Sequence, residues 1–277
     1  YADYVHIEIE RTNQLDTPHQ FSVGKNVTLF SNKNPEEIQE LTGTIKQSGK
    51  NKMKIILLGY GKMGKTIERL AHEAGDEIVA TISSAQVATL TDELLKSADV
   101  VIEFTQPEAA VSNILKCFAA GVPVVSGTTG WFDQLDLIES EAAKQSGALV
   151  WASNFSVGVN LFFELNRKMA ALMRTYPEYS VSIEETHHTQ KKDSPSGTAK
   201  TLLAHLQEFY PSQAIPVVDH RVDPVVGIHT THYHSKIDSM HFTHEAHSRD
   251  GFAAGALMAA KWLIGKKGVF MMKDVIA

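Results

Sequence analysis

The chain has 277 residues, of which 43% are hydrophobic and 21% charged, proportions that supply a substantial core and exclude a disordered or fibrous chain. A net charge of −6 argues against a nucleic-acid partner, and a single cysteine, Cys117, excludes structural disulfides and points to a reducing compartment. No apolar run reaches the roughly eighteen residues of a membrane span and no signal-peptide pattern opens the chain, so a cytoplasmic protein without membrane or nucleic-acid partners is expected.

Residues 1–52 precede the first strongly apolar strand and are read as an N-terminal extension without an assigned role, Met53 being a candidate natural start. Within them Tyr4–Glu10 alternates as a strand does, Val27–Phe30 reads as a second strand, Asn34–Leu41 as a short capped helix and Ser48–Lys52 as a linker. Met53–Leu58 then forms an apolar strand that runs into Gly59-Tyr60-Gly61-Lys62-Met63-Gly64, a GxGxxG followed by a helical stretch, Lys65–Ala74, and a second strand, Glu77–Ile82. In that βαβ setting the glycines permit a tight turn and close backbone approach, and a dinucleotide's pyrophosphate can rest on the helix N-terminus. Gly59, Gly61, Lys62, Met63 and Gly64 are therefore candidate cofactor-binding residues. The second strand ends in Ser83-Ser84, not in the Asp or Glu that would hold an adenosine ribose. Hydroxyls there tolerate a 2′-phosphate, with Lys62 the nearest cation, so the cofactor expected is NADPH, with NADH left open.

Thr91–Ser97 reads as helix, Asp99–Phe104 as strand, Pro107–Ala120 as helix, and Val122–Ser126 and Ala148–Ala152 as strands, the alternation of a doubly wound parallel α/β sheet. Ligands bind at the C-terminal ends of such strands, which makes Gly127, Thr128 and Thr129, and then Ser153, Asn154 and Phe155, candidates for the nicotinamide end. Further on, Val181–Ile183 alternates as a strand and Ala199–Leu206 has helical spacing, so the polar block between them reads as a strand-to-helix loop. Ser194 is its expected N-cap and Pro195 the first helical residue, leaving the N–H groups of Gly197 and Thr198 to receive a carboxylate or phosphate. In the same block His187 or His188 can supply a proton near neutral pH, and Lys191 or Lys192 can fix an anion or donate a proton.

Gly227–His234 and Met240–His247 alternate with period two and carry six histidines, His229, His232, His234, His241, His244 and His247. His232 and His234 would share one strand face, but without a cysteine or an HExxH helix a polar sheet face is the simpler reading, and no metal is expected.

Taken together these motifs resemble those of the dihydrodipicolinate reductase family, also called 4-hydroxy-tetrahydrodipicolinate reductase. The resemblance is carried by the glycine loop, Gly127–Gly130, Ser153–Asn160 and the block from His187 to Thr198, and is extended by Ser248–Ala256, Lys261–Leu263 and Asp274–Ile276. It implies hydride transfer from NADPH or NADH to a cyclic unsaturated dicarboxylate in lysine biosynthesis through diaminopimelate. By motif position His187 is similar to the family's proton donor, Lys191 to its assisting acid, His188 to a substrate contact, and Gly197-Thr198 to its carboxylate-binding pair. The resemblance further implies a Rossmann-like domain over 53–156 plus 248–277, and over 157–247 a smaller α+β substrate-binding domain that opens with a helix at Asn160–Arg174. That domain's open mixed sheet builds a homotetramer in the family. The chain departs from the family pattern in a glycine loop one residue shorter, no acid after the second strand, and Ser153 where many relatives have Pro. Readings of other classes are a Rossmann reductase of another small amino or keto acid and a non-catalytic dinucleotide sensor.

Overall fold

Two β-sheets, each covered by helices, organise residues 53–277 in a computed structural model that describes residues 19–22, 28–31, 52–83, 89–191 and 193–277. The chain divides into two units, residues 1–52 and 53–277. In the first, β1 (His19–Ser22) pairs antiparallel with β2 (Thr28–Ser31), one residue beyond the strand expected at 27–30. The strand expected at 4–10, the helix at 34–41 and most of the linker at 48–52 lie outside the described residues.

The second unit runs β3 (Lys54–Leu58), α1 (Lys62–Ala74), β4 (Glu77–Ile82), α2 (Asp92–Lys96), β5 (Val100–Glu103), α3 (Pro107–Ala120), β6 (Val124–Ser126), α4 (Leu135–Gln145) and β7 (Ala148–Trp151). It continues through α5 (Val157–Met173), β8 (Ser180–His187), α6 (Gly197–Phe209), β9 (Val217–Arg221), β10 (Gly227–His234), β11 (Ser239–Ala246), α7 (Asp250–Leu263), β12 (Gly268–Met271) and α8 (Met272–Ile276). Six strands form an all-parallel sheet in the order β12-β7-β6-β5-β3-β4. The central strands β3, β5 and β6 are buried on both faces, which is why they read as nearly unbroken apolar runs, while the edge strands β4 and β12 are only partly buried. Alternation divides those residues between two cores. Ile55 and Leu57 face Ile67 and Ala71 of α1 and Ala253, Ala256 and Ala260 of α7, whereas Ile56 and Leu58 belong with Leu95, Ile114, Phe118 and Ile138 of α2, α3 and α4. Cys117 is buried in α3, and burial raises its thiol pKa, so it serves as a small core residue. Among the described residues no helix is long and apolar enough to cross a membrane.

The other sheet has the order β11-β10-β8-β9, antiparallel except for β8 with β9, and is therefore the open mixed sheet expected. Phe162, Phe163 and Met173 of α5 and Leu202 and Leu206 of α6 pack on Val181 and Ile183 of β8 and Tyr233 of β10. β12 and α7 return to the six-stranded sheet.

Two expectations are corrected here. The polar block is not all loop, because β8 continues to His187 through seven consecutive pairings of β10 with residues 180–186. The helix cap is Ser196, not Ser194, since the Ser196 hydroxyl accepts the Ala199 N–H at 3.1 Å while its own N–H is taken by Glu185; Ser194 instead donates to Asp219.

α7 crosses the Phe155 loop with no room for a side chain, since a Cβ on Gly255 would lie 1.7 Å from the Phe155 carbonyl oxygen. Gly255→Ala is expected to destabilise the protein by about 3 kcal/mol in denaturant titrations followed by circular dichroism. Gly61→Ala, whose Cβ would meet nothing within 4 Å, should stay within about 1 kcal/mol of the parent.

Candidate active site

Two cavities lie side by side with Met63 in the wall of both. The first, about 490 Å³, opens at the C-terminal ends of β3, β5 and β6. The glycine loop can fold down there because Gly59 has φ +92° and a Cβ on it would stand 1.9 Å from the Phe104 carbonyl oxygen. α1 then starts at Gly61 with no side-chain cap and no acid in its first turn, so its free N–H groups and dipole suit a phosphate. Of the cofactor candidates, Gly61, Lys62, Met63, Gly64, Gly127, Thr128 and Thr129 line this cavity. An uncapped helix start, open space over Gly61 and a strand-end cleft fit a dinucleotide.

A buried acid missed in the sequence organises this cleft. Glu103 ends β5 with no exposed surface; its Oε1 accepts the Thr105 N–H at 3.0 Å, the Thr128 hydroxyl at 2.8 Å and the Thr105 hydroxyl, and its Oε2 accepts the Ser126 hydroxyl at 2.6 Å. One carboxylate thus ties together the loops that follow β5 and β6. The signal available was an acid closing the otherwise apolar run Val100-Val101-Ile102.

The second cavity, about 380 Å³, is lined by basic side chains, with His187, His188, Lys191, His229, His244 and Arg249 in its wall together with Asp193. Its chemistry follows from the alternation of β8, whose helix-facing residues Val181, Ile183, Glu185 and His187 change from apolar to ionisable where the helices leave off. Glu185 stands directly opposite His229 of β10, which in turn stands opposite His244 of β11. Glu185 Oε1 accepts the Ser196 N–H at 2.8 Å, and Oε2 lies 3.3 Å from His229 Nε2 and 3.6 Å from His187 Nδ1. Burial opposes ionisation of Glu185, yet His229, the Ser196 hydroxyl and N–H, and His187 hold its carboxyl at about 2. Burial, aided by His229, Lys191 and Arg221 and opposed by Glu185, pushes His187 down to about 4, so its imidazole is neutral near pH 7 without a ligand. The ligating atoms of Glu185, His187 and His229 lie within 4.8 Å of one another, a spacing that a metal could use. Glu185 and His229 are each turned to Ser196 as well, and the set reads as a hydrogen-bonded acid–base cluster.

Lys191 lies 2.8 Å and 3.1 Å from the two oxygens of Asp193, and Arg221 of β9 steadies this loop by donating to the Asp193 carbonyl at 2.8 Å. Gly197 and Thr198 form the first turn of α6 at the cavity wall, and Asn154 approaches Thr198 at 3.5 Å, joining the β7 loop to α6. Ser153 and Asn154 face this second cavity, whereas Phe155 lies beneath it in the core against Phe104. Gly59 shapes the loop from below, Ser83 directly follows β4, and Ser84 and Lys192 lie outside the described residues. The histidines of β10 and β11 separate by face: His229 and His244 border the cavity, while His232 and His241 meet on the outer face beside Glu184. Asp193, Arg221 and Glu185 were not singled out from sequence, because their roles depend on partners from other elements.

Residues 53–155 match the family model described as dihydrodipicolinate reductase, N-terminus, and residues 158–276 the one described as dihydrodipicolinate reductase, C-terminus. A protein of Christiangramia forsetii named 4-hydroxy-tetrahydrodipicolinate reductase is 45% identical over 237 residues, covering 81% of this chain and 98% of its own. One of the same name from Methanoregula boonei is 34% identical over 251 residues, covering 80% and 97%. The solved structure of a dipicolinate-bound dihydrodipicolinate reductase from Paenisporosarcina sp. TG-14 shares the fold with a TM-score of 0.68 at 21% identity, over 79% of this chain and 97% of that one. The chain belongs to the dihydrodipicolinate reductase family, whose members are oxidoreductases that use a nicotinamide dinucleotide.

Proposed function

We propose that the chain carries out its family's reaction, reduction of 4-hydroxy-tetrahydrodipicolinate to tetrahydrodipicolinate in lysine biosynthesis, with His187 as proton donor and NADPH as the preferred dinucleotide. The observation that carries this reading is the meeting, at Met63, of a cleft suited to a dinucleotide and a cavity lined by basic side chains that suits a dianion. When bound, the reduced nicotinamide supplies a hydride. In the cavity, the N–H groups of Gly197 and Thr198 at the start of α6 hold one substrate carboxylate, while Lys191 and His188 engage the other polar edge. Burial chiefly keeps the His187 pKa low, with Lys191 and Arg221 adding to it, and a dianion beside the ring opposes both, so the imidazole takes up a proton as substrate binds and delivers it to the ring. Lys191 assists by stabilising the charge that develops.

In this reading 53–156 with 248–277 hold the dinucleotide and 157–247 hold the substrate, in keeping with the return of β12 to the parallel sheet. A cytoplasmic homotetramer joined through the outer face and free β11 edge of the mixed sheet completes it.

With substrate generated in situ from pyruvate and aspartate semialdehyde, the protein should oxidise NADPH, followed by its absorbance. His187→Gln should lower kcat by about 10²–10⁴-fold with nucleotide binding intact, and Lys191→Ala by about 10²-fold. Full activity in either variant removes that residue from its role, and no oxidation of either dinucleotide by the parent removes the reaction.

Lys62, exposed at the first position of α1, is the cation assigned to a 2′-phosphate. Lys62→Ala should raise KM for NADPH about tenfold and alter that for NADH far less, as expected for one charge-assisted hydrogen bond. Equal effects on both would remove the 2′-phosphate assignment.

A further inference from the structure

Glu185 is buried far beyond what a spectator carboxylate tolerates, with a side chain that has no exposed surface. Its Oε1 is occupied by the Ser196 N–H, and Oε2 lies between His229 Nε2 at 3.3 Å and His187 Nδ1 at 3.6 Å, that buried Nδ1 having no hydrogen-bond partner of its own. An acceptor and a ring nitrogen left in that relation form a donor–acceptor pair that a small closure completes. The Nε2 edge of His187 is turned to the cavity wall at Gly227, where a Cβ would lie 3.2 Å from Nε2. Glycine at that position gives the ring its space.

We propose that Glu185 is the positioning residue of the proton donor: it accepts the Nδ1–H of His187, leaves Nε2 to carry the transferable proton, and stabilises the imidazolium until that proton departs. The proposal rests on the reading of His187 as donor. In the step, the substrate's 4-hydroxyl leaves as water with a proton from the adjacent ring carbon; hydride and proton then add across the double bond so formed, the Nε2–H bond of His187 breaking as its proton joins the ring. His187 is left neutral with its proton on Nδ1, Glu185 remains anionic throughout, and water restores the proton on Nε2. The logic is that of a carboxylate holding an imidazole in one tautomer.

The titratable and charged groups around His187 come from every strand of the sheet. Glu185 shares its strand, His229 faces it from β10 with His244 next on β11, Arg221 lies on β9, and Lys191 with its partner Asp193 lies on the following loop. Among the groups that act on His187, His229, Lys191 and Arg221 disfavour its charged form and Glu185 favours it. The same carboxylate also holds the Ser196 N–H and so fixes the start of α6, setting the distance between the donor and the Gly197-Thr198 turn.

The first test uses the unaltered protein labelled with ¹⁵N-histidine, the His187 resonances being identified by their loss in His187→Gln. At neutral pH without ligand, His187 is expected as the Nδ1–H tautomer with bare Nε2; the opposite tautomer overturns the proposal. The second test is Glu185→Gln, which should lower kcat by about 10²–10⁴-fold with little change in KM for NADPH. The limb on which kcat falls with rising pH should also move to lower pH, because loss of a neighbouring negative charge makes the imidazolium give up its proton more readily. Glu185→Asp, which keeps the charge, should lose part of the rate and leave that limb in place. A slow Glu185→Gln enzyme with an unmoved limb would reduce Glu185 to a structural role and sink the proposal. Should His187→Gln stay active, the donor reading fails; should His187→Gln be inactive while both Glu185 tests fail, only the positioning role falls.

Discussion

Because side chains alternate across a strand, the register that sets Val181 and Ile183 against α5 and α6 also sets Glu185 and His187 on that face, and the same antiparallel pairing sets His229 opposite Glu185. A slip of one residue would turn the whole row outward. Such a slip would expose Val181, Ile183 and Tyr233, each worth about 1.5–3 kcal/mol in burial, so the apolar half of the sheet holds the ionisable half in place. The cluster therefore does not have to secure its own geometry through its hydrogen bonds. The separations of 3.6 Å and 3.3 Å from Glu185 Oε2 to His187 and His229 are compatible with a precisely placed site for that reason.

The two buried carboxylates show how surroundings divide structure from chemistry. Glu103 and Glu185 both have no exposed side-chain surface or almost none, and both sit at the end of a strand beside a cavity. Glu103 is answered by two threonine hydroxyls, a serine hydroxyl and a backbone N–H, donors that keep their protons at any physiological pH, so it acts as a clamp between loops. Glu185 is answered by one backbone N–H and stands beside two imidazoles, side chains that can exchange a proton where hydroxyls and amides cannot. The same burial thus yields a fixed joint in one sheet and a proton-bearing group in the other.

What could be read from the sequence was what depends on near neighbours. The glycine loop, α3 and its Pro107 start, and the alternation of β10 are local patterns, and the structure reproduces β4, α3 and β10 at the expected residues. The end of β8 and the start of α6 were misplaced because Ser194 and Ser196 are equally good caps in isolation. The choice is made by Glu185, eleven residues away, and by His229, thirty-three away. Likewise nothing local distinguishes His229 from His232, since one face of β10 meets the cavity and the other meets Glu184 only after three strands have paired. Glu103 was overlooked for the same reason: its partners come from the loop after β6 as well as its own.

Net charge is a poor guide to the sign of the ligand here. The chain carries −6 overall, yet Lys191, Arg249 and four histidines border one small cavity, and fields within a cleft are governed by the groups that line it. Without a ligand Asp193 pairs with Lys191 at 2.8 Å and balances its charge. Half of the Asp193 side chain is in water, and such an exposed pair is worth only about 0–1 kcal/mol. A substrate carboxylate entering the cavity can therefore draw Lys191 away at small cost. Asp193 in this way reserves the lysine for the ligand without competing strongly against it.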